Sequence, residues 1–278
     1  MEFIKLLKKI DIIIVFKGME LFATTIQALK RYCQLLANYN PDHPFVFHSA
    51  GSGNANITAS LPHYDVHLSY SSTICEKLKN QLQTPAFCIP FGFDDQVKVP
   101  PSASKKVGNS FVFIGAWDRQ RAQLLNRIEI ENFKIFGNQA WKSRTVFKKS
   151  IGRFYQRCAL YDQDYIAAIP AALGNINLLR PQNLMEESHN MRTFEVPGYG
   201  GVLISKFTEE QATFFEPDKE AIFWSSAEEL NDKLSYYNRQ PTQLNTIKKA
   251  ALERSQKSGY AYRHRVEHLH QLLKQQLN

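Results

Sequence analysis

The chain has 278 residues, 44% of them hydrophobic and 12% aromatic, enough to bury one large core or two of roughly 100 to 170 residues each. No apolar run reaches the ~18 residues of a membrane span, and no secretory signal is expected at residues 1–14, where charges are scattered among the apolar residues without a small-residue cleavage site, so a soluble protein is expected. A net charge of +8 favours anionic partners, and four cysteines, far apart and without a C-x-x-C pair, fit a reduced, cytoplasmic compartment.

Strand and helix signals alternate along the chain, which is the pattern of parallel α/β sheets. Residues 2–9 read as a short amphipathic helix that feeds a buried strand at 11–16, Asp11-Ile12-Ile13-Ile14-Val15-Phe16. A helix is expected over 21–34, where Phe22, Ile26, Leu29 and Cys33 recur at helical spacing. Strands follow near 35–39, 66–70 and 86–89. The stretch Lys98-Val99-Pro100-Pro101-Ser102-Ala103-Ser104-Lys105-Lys106 is polar, Pro-rich and without periodicity, which marks an interdomain linker. Beyond it strands are expected at 110–114, 132–136, 158–160, 176–179 and 201–205, and helices at 227–237 and 244–273. Within 134–157, Lys134, Lys142, Arg144, Lys148, Lys149, Arg153 and Arg157 meet no acidic residue. This run reads as a solvated face, or as a surface for anionic membrane or an acidic acceptor. No nucleic-acid module is visible, and nucleic acid is not expected as a partner.

The segment Met191-Arg192-Thr193-Phe194-Glu195-Val196-Pro197-Gly198-Tyr199-Gly200-Gly201 carries the most chemistry. An arginine fork can grip a diphosphate, and glycines let backbone N–H groups approach the same oxygens. Glu195 lies one helical turn from Arg192 and can accept hydrogen bonds from ribose hydroxyls. The set suits a nucleotide diphosphate; the plainer reading is an amphipathic helix ended by glycines before the buried strand Val202-Leu203-Ile204. Three other groupings carry less. Asp162-Gln163-Asp164 has the D-x-D form of a divalent-metal site, but it directly precedes Tyr165-Ile166-Ala167-Ala168-Ile169, where an acidic helix N-terminus explains it. His264 and His268 flank Glu267 without the Glu directly after the first His that a zinc-protease helix needs. His63, Asp65 and His67 fit turn and strand chemistry.

The segment around Arg192 resembles the donor-binding motif of the GT-B glycosyltransferases, specifically the CgeB-like group related to spore maturation proteins, S-x-x-x-R-x-F-E-x-x-x-x-G-G. Ser188, Arg192, Phe194, Glu195, Gly200 and Gly201 fall on that pattern. Glu187 precedes Glu195 by the paired-glutamate spacing of many retaining GT-B enzymes. Phe111-Val112-Phe113-Ile114-Gly115 with Ala116-Trp117-Asp118-Arg119-Gln120-Arg121 resembles the first strand and turn of the family's donor domain, with Arg121 at a recurrent arginine. Phe133-Lys134-Ile135-Phe136-Gly137 resembles its second strand, Pro90-Phe91-Gly92-Phe93-Asp94 its P-x-G-x-D segment, and Leu61-Pro62-His63-Tyr64-Asp65 its L-P-x-Y-D approach to an earlier strand.

The resemblance implies an α/β, GT-B-like fold of two Rossmann-like, doubly wound parallel-sheet domains, with the opening β-α units of the N-terminal one missing. The expected division is a partial acceptor-side domain over 1–98, a linker over 99–109, a donor-binding domain over 110–260 and a C-terminal helix over 261–278 packing back on the first domain. The implied reaction is metal-independent transfer of a sugar from a nucleotide-diphosphate sugar to a glycan, protein or lipid acceptor, with no cofactor. Arg192 and Arg121 are then expected to neutralise the leaving diphosphate and Glu195 to hold the ribose. Glu187 is expected to face the donor sugar as a catalytic group with Arg192, Ser188 to join the donor site, and Gly200 and Gly201 to let backbone approach. Tyr199 either narrows the donor pocket or packs. Two rival readings remain: a non-catalytic nucleotide-sugar-binding scaffold, and a metal-dependent GT-A-type transferase using Asp162 and Asp164.

Overall fold

The computed structural model describes residues 10–47, 51–100, 105–144 and 151–277, in two compact units, Met1–Phe91 with Arg263–Asn278 and Gly92–Tyr262. The expected helix at 2–9 and part of the expected linker lie outside the described residues.

In the first unit β1 (Ile10–Phe16), β2 (Cys33–Asn40), β3 (Val66–Ser69) and β4 (Ala86–Cys88) form a sheet in that order, every pair parallel. Helices α1 (Ala23–Leu29), α2 (Ala55–Ser60) and α3 (Ser72–Leu82) intervene. Both faces of the sheet are covered, which is why its strands are apolar without alternation. In β2, Leu35 and Ala37 join Val66, Leu68 and Ile89 beneath Leu269, Leu272 and Leu273 of the C-terminal helix Tyr262–Gln275. Leu36, one residue out of phase, packs on the opposite face with Val15, Ile26 and Tyr64. Among the described residues β1 is an edge of this sheet, and its last residue, Phe16, is 67% exposed.

The second unit holds β5 (Phe111–Ile114), α4 (Arg119–Leu125), β6 (Phe133–Phe136), α5 (Ala140–Ser143), α6 (Asp162–Ala171), β7 (Gly174–Asn177), α7 (Pro181–Met185), α8 (Met191–Gly198), β8 (Leu203–Lys206), α9 (Glu209–Phe214), β9 (Ile222–Trp224), α10 (Ala227–Asn238) and α11 (Pro241–Lys257). Its five strands lie in the order β6-β5-β7-β8-β9, again all parallel. One face buries Phe111, Phe113, Ile176 and Ile204, and the other Val112, Ile114 and Phe136, so successive residues of β5 serve opposite cores. Where the chain enters and leaves this unit, Phe93 pairs with Ala261, and a Cβ on Gly92 would sit 2.5 Å from the Tyr260 carbonyl oxygen. Gly92 of the P-x-G-x-D segment is therefore required for close backbone approach.

Several boundaries differ from expectation. The helix expected over 21–34 stops at Leu29 and passes through a 3₁₀ turn, Lys30–Tyr32, because Cys33 is needed in β2 opposite Ile10. No strand forms at 158–160. The extended pairing falls earlier, at Ile135 with Tyr155; Arg157, at φ 59°, interrupts it, and beyond the interruption the Cys158 carbonyl accepts the Gly137 N–H at 2.9 Å. The single helix expected over 244–273 is two, broken at Gly259 with φ 69°. The short buried strand β9 was not anticipated; three residues are too few for a period to register. No helix among the described residues is long and apolar enough to cross a membrane.

Candidate functional site

In the order β6-β5-β7 the chain winds from β5 to one side and then returns to the other, so the carboxyl ends of β5 and β7 flank a topological switch point. A ligand crevice is expected there on physical grounds, because the connections diverge and leave the strand ends uncovered. Just past β5, the Gly115 carbonyl accepts the Trp141 indole N–H at 2.9 Å. Gly137, just past β6, has no room for a side chain: a Cβ would lie 2.3 Å from the Gly115 carbonyl oxygen. The two strand ends thus close together and form one wall.

Arg121 occupies the switch point. Asp118 caps α4 by accepting the Arg121 backbone N–H at 2.9 Å, and its carboxylate lies 3.2 Å from Arg121 Nε. The guanidinium donates to the Ala116 carbonyl beyond β5 and to the Leu178 carbonyl beyond β7, each at 3.2 Å, and so bridges the gap between them. Only 11% of the side chain is exposed. Burial pushes its pKa down to about 10; Asp118 opposes the shift, and the cations Arg180 and Arg192 add to it.

The second cation comes from α8. Asn190 caps this helix, accepting the Thr193 N–H at 3.3 Å, and is itself held by reciprocal amide bonds to Asn177 at 2.9 and 3.2 Å. Asn177 also donates to Ser205; Ser205 and Thr193 both donate to Gln211 at 3.0 Å, and Gln211 donates to Thr208 and to the Lys206 carbonyl. This buried network fixes the N-terminus of α8 over β7 and β8, and with it Arg192 in the first turn and Glu195 one turn on. Across from them, Tyr165 of α6 donates to Glu195 Oε2 at 2.7 Å, and the Arg192 guanidinium lies 5.9 Å from the Tyr165 ring centre. Burial, followed by the nearby Glu195 carboxylate and against the pull of Arg192, raises the Tyr165 pKa well above the usual phenol range, so this hydroxyl stays a donor. Arg192 Nε is buried without a hydrogen-bond partner among the described residues. Tyr165, Arg192 and Glu195, with Gly115, Gly137 and Asp162, line a cavity of about 360 Å³ at the carboxyl ends of β5 and β6.

No curated protein matches the sequence. The sequence model described as Glycosyl transferase-like matches residues 116–271, more than half of the chain, from just past β5 of the second unit into the C-terminal helix. The chain belongs to the glycosyl transferase-like family. Among solved structures it is similar to sucrose-phosphate synthase from Thermosynechococcus elongatus, with a TM-score of 0.69 at 12% identity, over 95% of this chain and 73% of that one. It is also similar to the pneumococcal O-GlcNAc transferase GtfA, solved in complex with UDP and GlcNAc, with a TM-score of 0.66 at 14% identity over 99% of this chain and 59% of that one. A glycosyltransferase from Rickettsia africae gives 0.65 at 10% identity, over 94% and 76%. This glycosyl transferase-like chain therefore has the α/β fold of two parallel sheets found in the GT-B enzymes, and spans about three fifths to three quarters of the length of these structures. The GT-A-type reading is corrected by that architecture. Its two carboxylates are also separated in use: Asp162 lines the cavity, while Asp164 pairs with Lys106 at 2.7 Å.

Of the residues singled out from the sequence, Arg192 and Glu195 reach the cavity and Arg121 borders it through Ala116. Four others do not. Glu187 is exposed on the turn before α8, held at φ 47°, and is not among the lining residues. Ser188 is fully buried and its hydroxyl donates to the Asn183 carbonyl at 3.4 Å. Gly200 and Gly201 follow the far end of α8. Gly200 turns the chain at φ 79°, and a Cβ on Gly201 would lie 2.6 Å from Ile169 and 2.8 Å from Asn175. They let α8 pass into β8 against α6, at a close approach that leaves no room for a side chain at Gly201. Tyr199 packs edge-on to Phe93 at 6.1 Å and does not line the cavity. Tyr165 and the Asn177–Gln211 network escaped sequence reasoning, although Asn175 and Asn177 inside an apolar strand were a legible sign of buried polar work. Part of the basic stretch is engaged internally: Lys134 donates to the Lys106 and Val107 carbonyls, and Arg153 pairs with Glu131 at 3.3 Å. Residues 145–150 of that stretch lie outside the described residues.

Proposed function

We propose that the chain transfers a sugar from a nucleotide-diphosphate sugar to an acceptor by metal-independent GT-B chemistry, in the manner of the CgeB-like group. The observation that carries this reading is the pairing of Arg192 and Glu195 one turn apart on α8, at a cavity beside the switch point that Arg121 bridges. In the reaction the acceptor hydroxyl oxygen bonds to the anomeric carbon, the bond from that carbon to the diphosphate oxygen breaks with its electron pair going to the diphosphate, and the hydroxyl proton is released to solvent. The leaving diphosphate gains negative charge as this happens. Fixed cations at Arg192 and Arg121 stabilise that charge without reorganising, which is where such a site contributes most to rate. Glu195, already accepting from Tyr165 through one oxygen, has a second with which to accept from ribose hydroxyls.

UDP is a sound first probe, since the similar GtfA structure was solved with it. Calorimetry of the whole chain with UDP and with uridine tests the diphosphate part of the reading, and hydrolysis of a UDP-sugar with and without chelator tests the rest. Binding and turnover that survive chelator support the proposal. Loss of turnover with chelator assigns a metal; nucleotide binding with no turnover on any donor assigns a scaffold. The acceptor, whether glycan, protein or lipid, is a separate question, and anionic vesicles titrated against Lys142→Gln and Arg144→Gln variants test the membrane surface.

A further inference from the structure

The first unit brings together two cysteines that the proposed transfer chemistry does not use. Cys75 lies near the start of α3 and is 3% exposed; Cys88 closes β4 and is half-buried. Both pack in one apolar cluster with Ile74, Leu78 and Ala86. The fold aims their sulfurs at the same place. β3 and β4 run parallel with Ser69 opposite Cys88, so Cys88 sits beside the carboxyl end of β3. α3 springs from that end: Ser71 caps it by accepting the Ile74 N–H at 3.4 Å, and the Ser71 carbonyl accepts the Cys75 N–H at 3.1 Å. The Cys88 thiol therefore has two acceptors in reach, the Tyr70 carbonyl at 3.3 Å and the Cys75 sulfur. The hydrogen bond from Cys88 is the leading influence on Cys75; it outweighs burial and, with the Ser69 backbone and Lys79, lowers that thiol's pKa. Access is divided between the two. A reagent in solution meets the half-buried Cys88, while Cys75 needs no solvent, because its partner is the adjoining sulfur.

We infer that Cys75 and Cys88 are a reversible dithiol–disulfide pair, closed by a peroxide and reopened by a dithiol reductant. The inference is independent of the proposed transferase activity. In the first step the Cys88 sulfur bonds to one peroxide oxygen, the O–O bond breaks, and the departing hydroxide takes the thiol proton as water, leaving a sulfenic acid. The Cys75 sulfur then bonds to the Cys88 sulfur, the S–OH bond breaks, and that hydroxide leaves with the Cys75 proton as a second water. The two electrons that reduce the peroxide come from the two sulfurs that join. The bond ties β4, a three-residue strand at the edge of the sheet, to α3 just before the chain leaves the first unit at Gly92. Closing that loop restricts the unfolded chain and raises the melting temperature of the first unit. Cysteines that only fill space in a core are inert, so reactivity separates the two roles.

The test exposes the folded full chain to hydrogen peroxide, alkylates the remaining thiols with iodoacetamide in denaturant, and reads the peptides by mass spectrometry after proteolysis. A Cys75–Cys88 linked pair, lighter by two hydrogens, is expected, with both thiols returned by dithiothreitol and Cys33 still open to alkylation. The double variant Cys33→Ser with Cys158→Ser is expected to form the same link. In Cys75→Ser the sulfenic acid on Cys88 loses its partner, and dimedone is expected to trap at least severalfold more of it than in the unmodified chain. A first unit that melts higher after oxidation, and returns on reduction, further supports the pair. Full alkylation of both cysteines after peroxide overturns the inference. So does oxidation of Cys88 to a sulfinic acid with Cys75 still alkylated, or a link from either one to Cys33 or Cys158. Should Cys75→Ser fail to fold, the mass measurement on the unmodified chain decides alone.

Discussion

Arg192 and Glu195 owe their shared cavity to the helical turn between them, but each answers to a different part of a nucleotide. Arg192→Ala is expected to weaken UDP by about 1.5 to 3 kcal/mol and uridine hardly at all, because the lost contact is with phosphate oxygens. Equal losses for both ligands in parallel calorimetry would take the arginine out of the diphosphate site. Glu195→Gln is expected to weaken UDP by ~1 to 3 kcal/mol with little change in melting temperature, since the amide oxygen still accepts from Tyr165 but the charge is gone. A large drop in melting temperature with UDP affinity intact would make Glu195 structural instead. The pairing of Arg192 with Glu195 was legible from their spacing. Its meeting with Tyr165 was not, because the two are thirty residues apart and come together only through the packing of α6 on α8.

The elements that carry the site are held by polar groups inside apolar strands. Gln211 of α9 accepts from both Thr193 and Ser205 and donates to Thr208, so it couples α8, β8 and α9. Gln211→Leu leaves those hydroxyls buried without an acceptor, and is expected to cost about 3 kcal/mol in denaturant unfolding and to weaken UDP further by loosening the α8 N-terminus. A variant as stable as the parent chain would refute the coupling. In the first unit, burial pushes the pKa of His67 in β3 from 6.5 down to about 4, with the Leu61 carbonyl opposing. The unfolded chain then binds a proton that the fold refuses. Stability is complete above the unfolded value and falls as pH drops from about 6.5 towards 4, by on the order of 3 kcal/mol. Melting of this unit at pH 7 and pH 5, compared with His67→Asn, checks it; an unchanged pH dependence in the variant would assign the loss to other groups.

Across the molecule, the C-terminal helix belongs with the first sheet in space although it follows the second in sequence. Leu273, 1% exposed on that helix, faces Leu35, Val66 and Leu68. Leu273→Glu is expected to destabilise the first unit by about 3 kcal/mol or more, as for an unpaired buried charge, and to leave UDP binding to the second unit intact. A calorimetric scan with UDP titration of the surviving folded species measures both, and a loss of UDP affinity at a temperature where the second unit is folded would contradict it. The two parallel sheets could be read from the residues because strand and helix signals alternate, and strands covered on both faces are apolar without a period. Lengths and directions were less legible. Cys33 satisfies a helical period and a strand equally well, and a run such as 244–273 conceals a break that one glycine at positive φ imposes. The site divided along the same line. Residues one turn apart on a helix stay neighbours in any fold, so Arg192 and Glu195 could be paired from spacing alone. Whether Glu187, Ser188, Gly200 and Gly201 join them depends on which end of α8 meets the strand ends and where the flanking turns point. Sequence proximity carries no direction in space; the order and twist of the sheet assign it, and they put Arg121 at the switch point and the glycine pair at the far end of the helix.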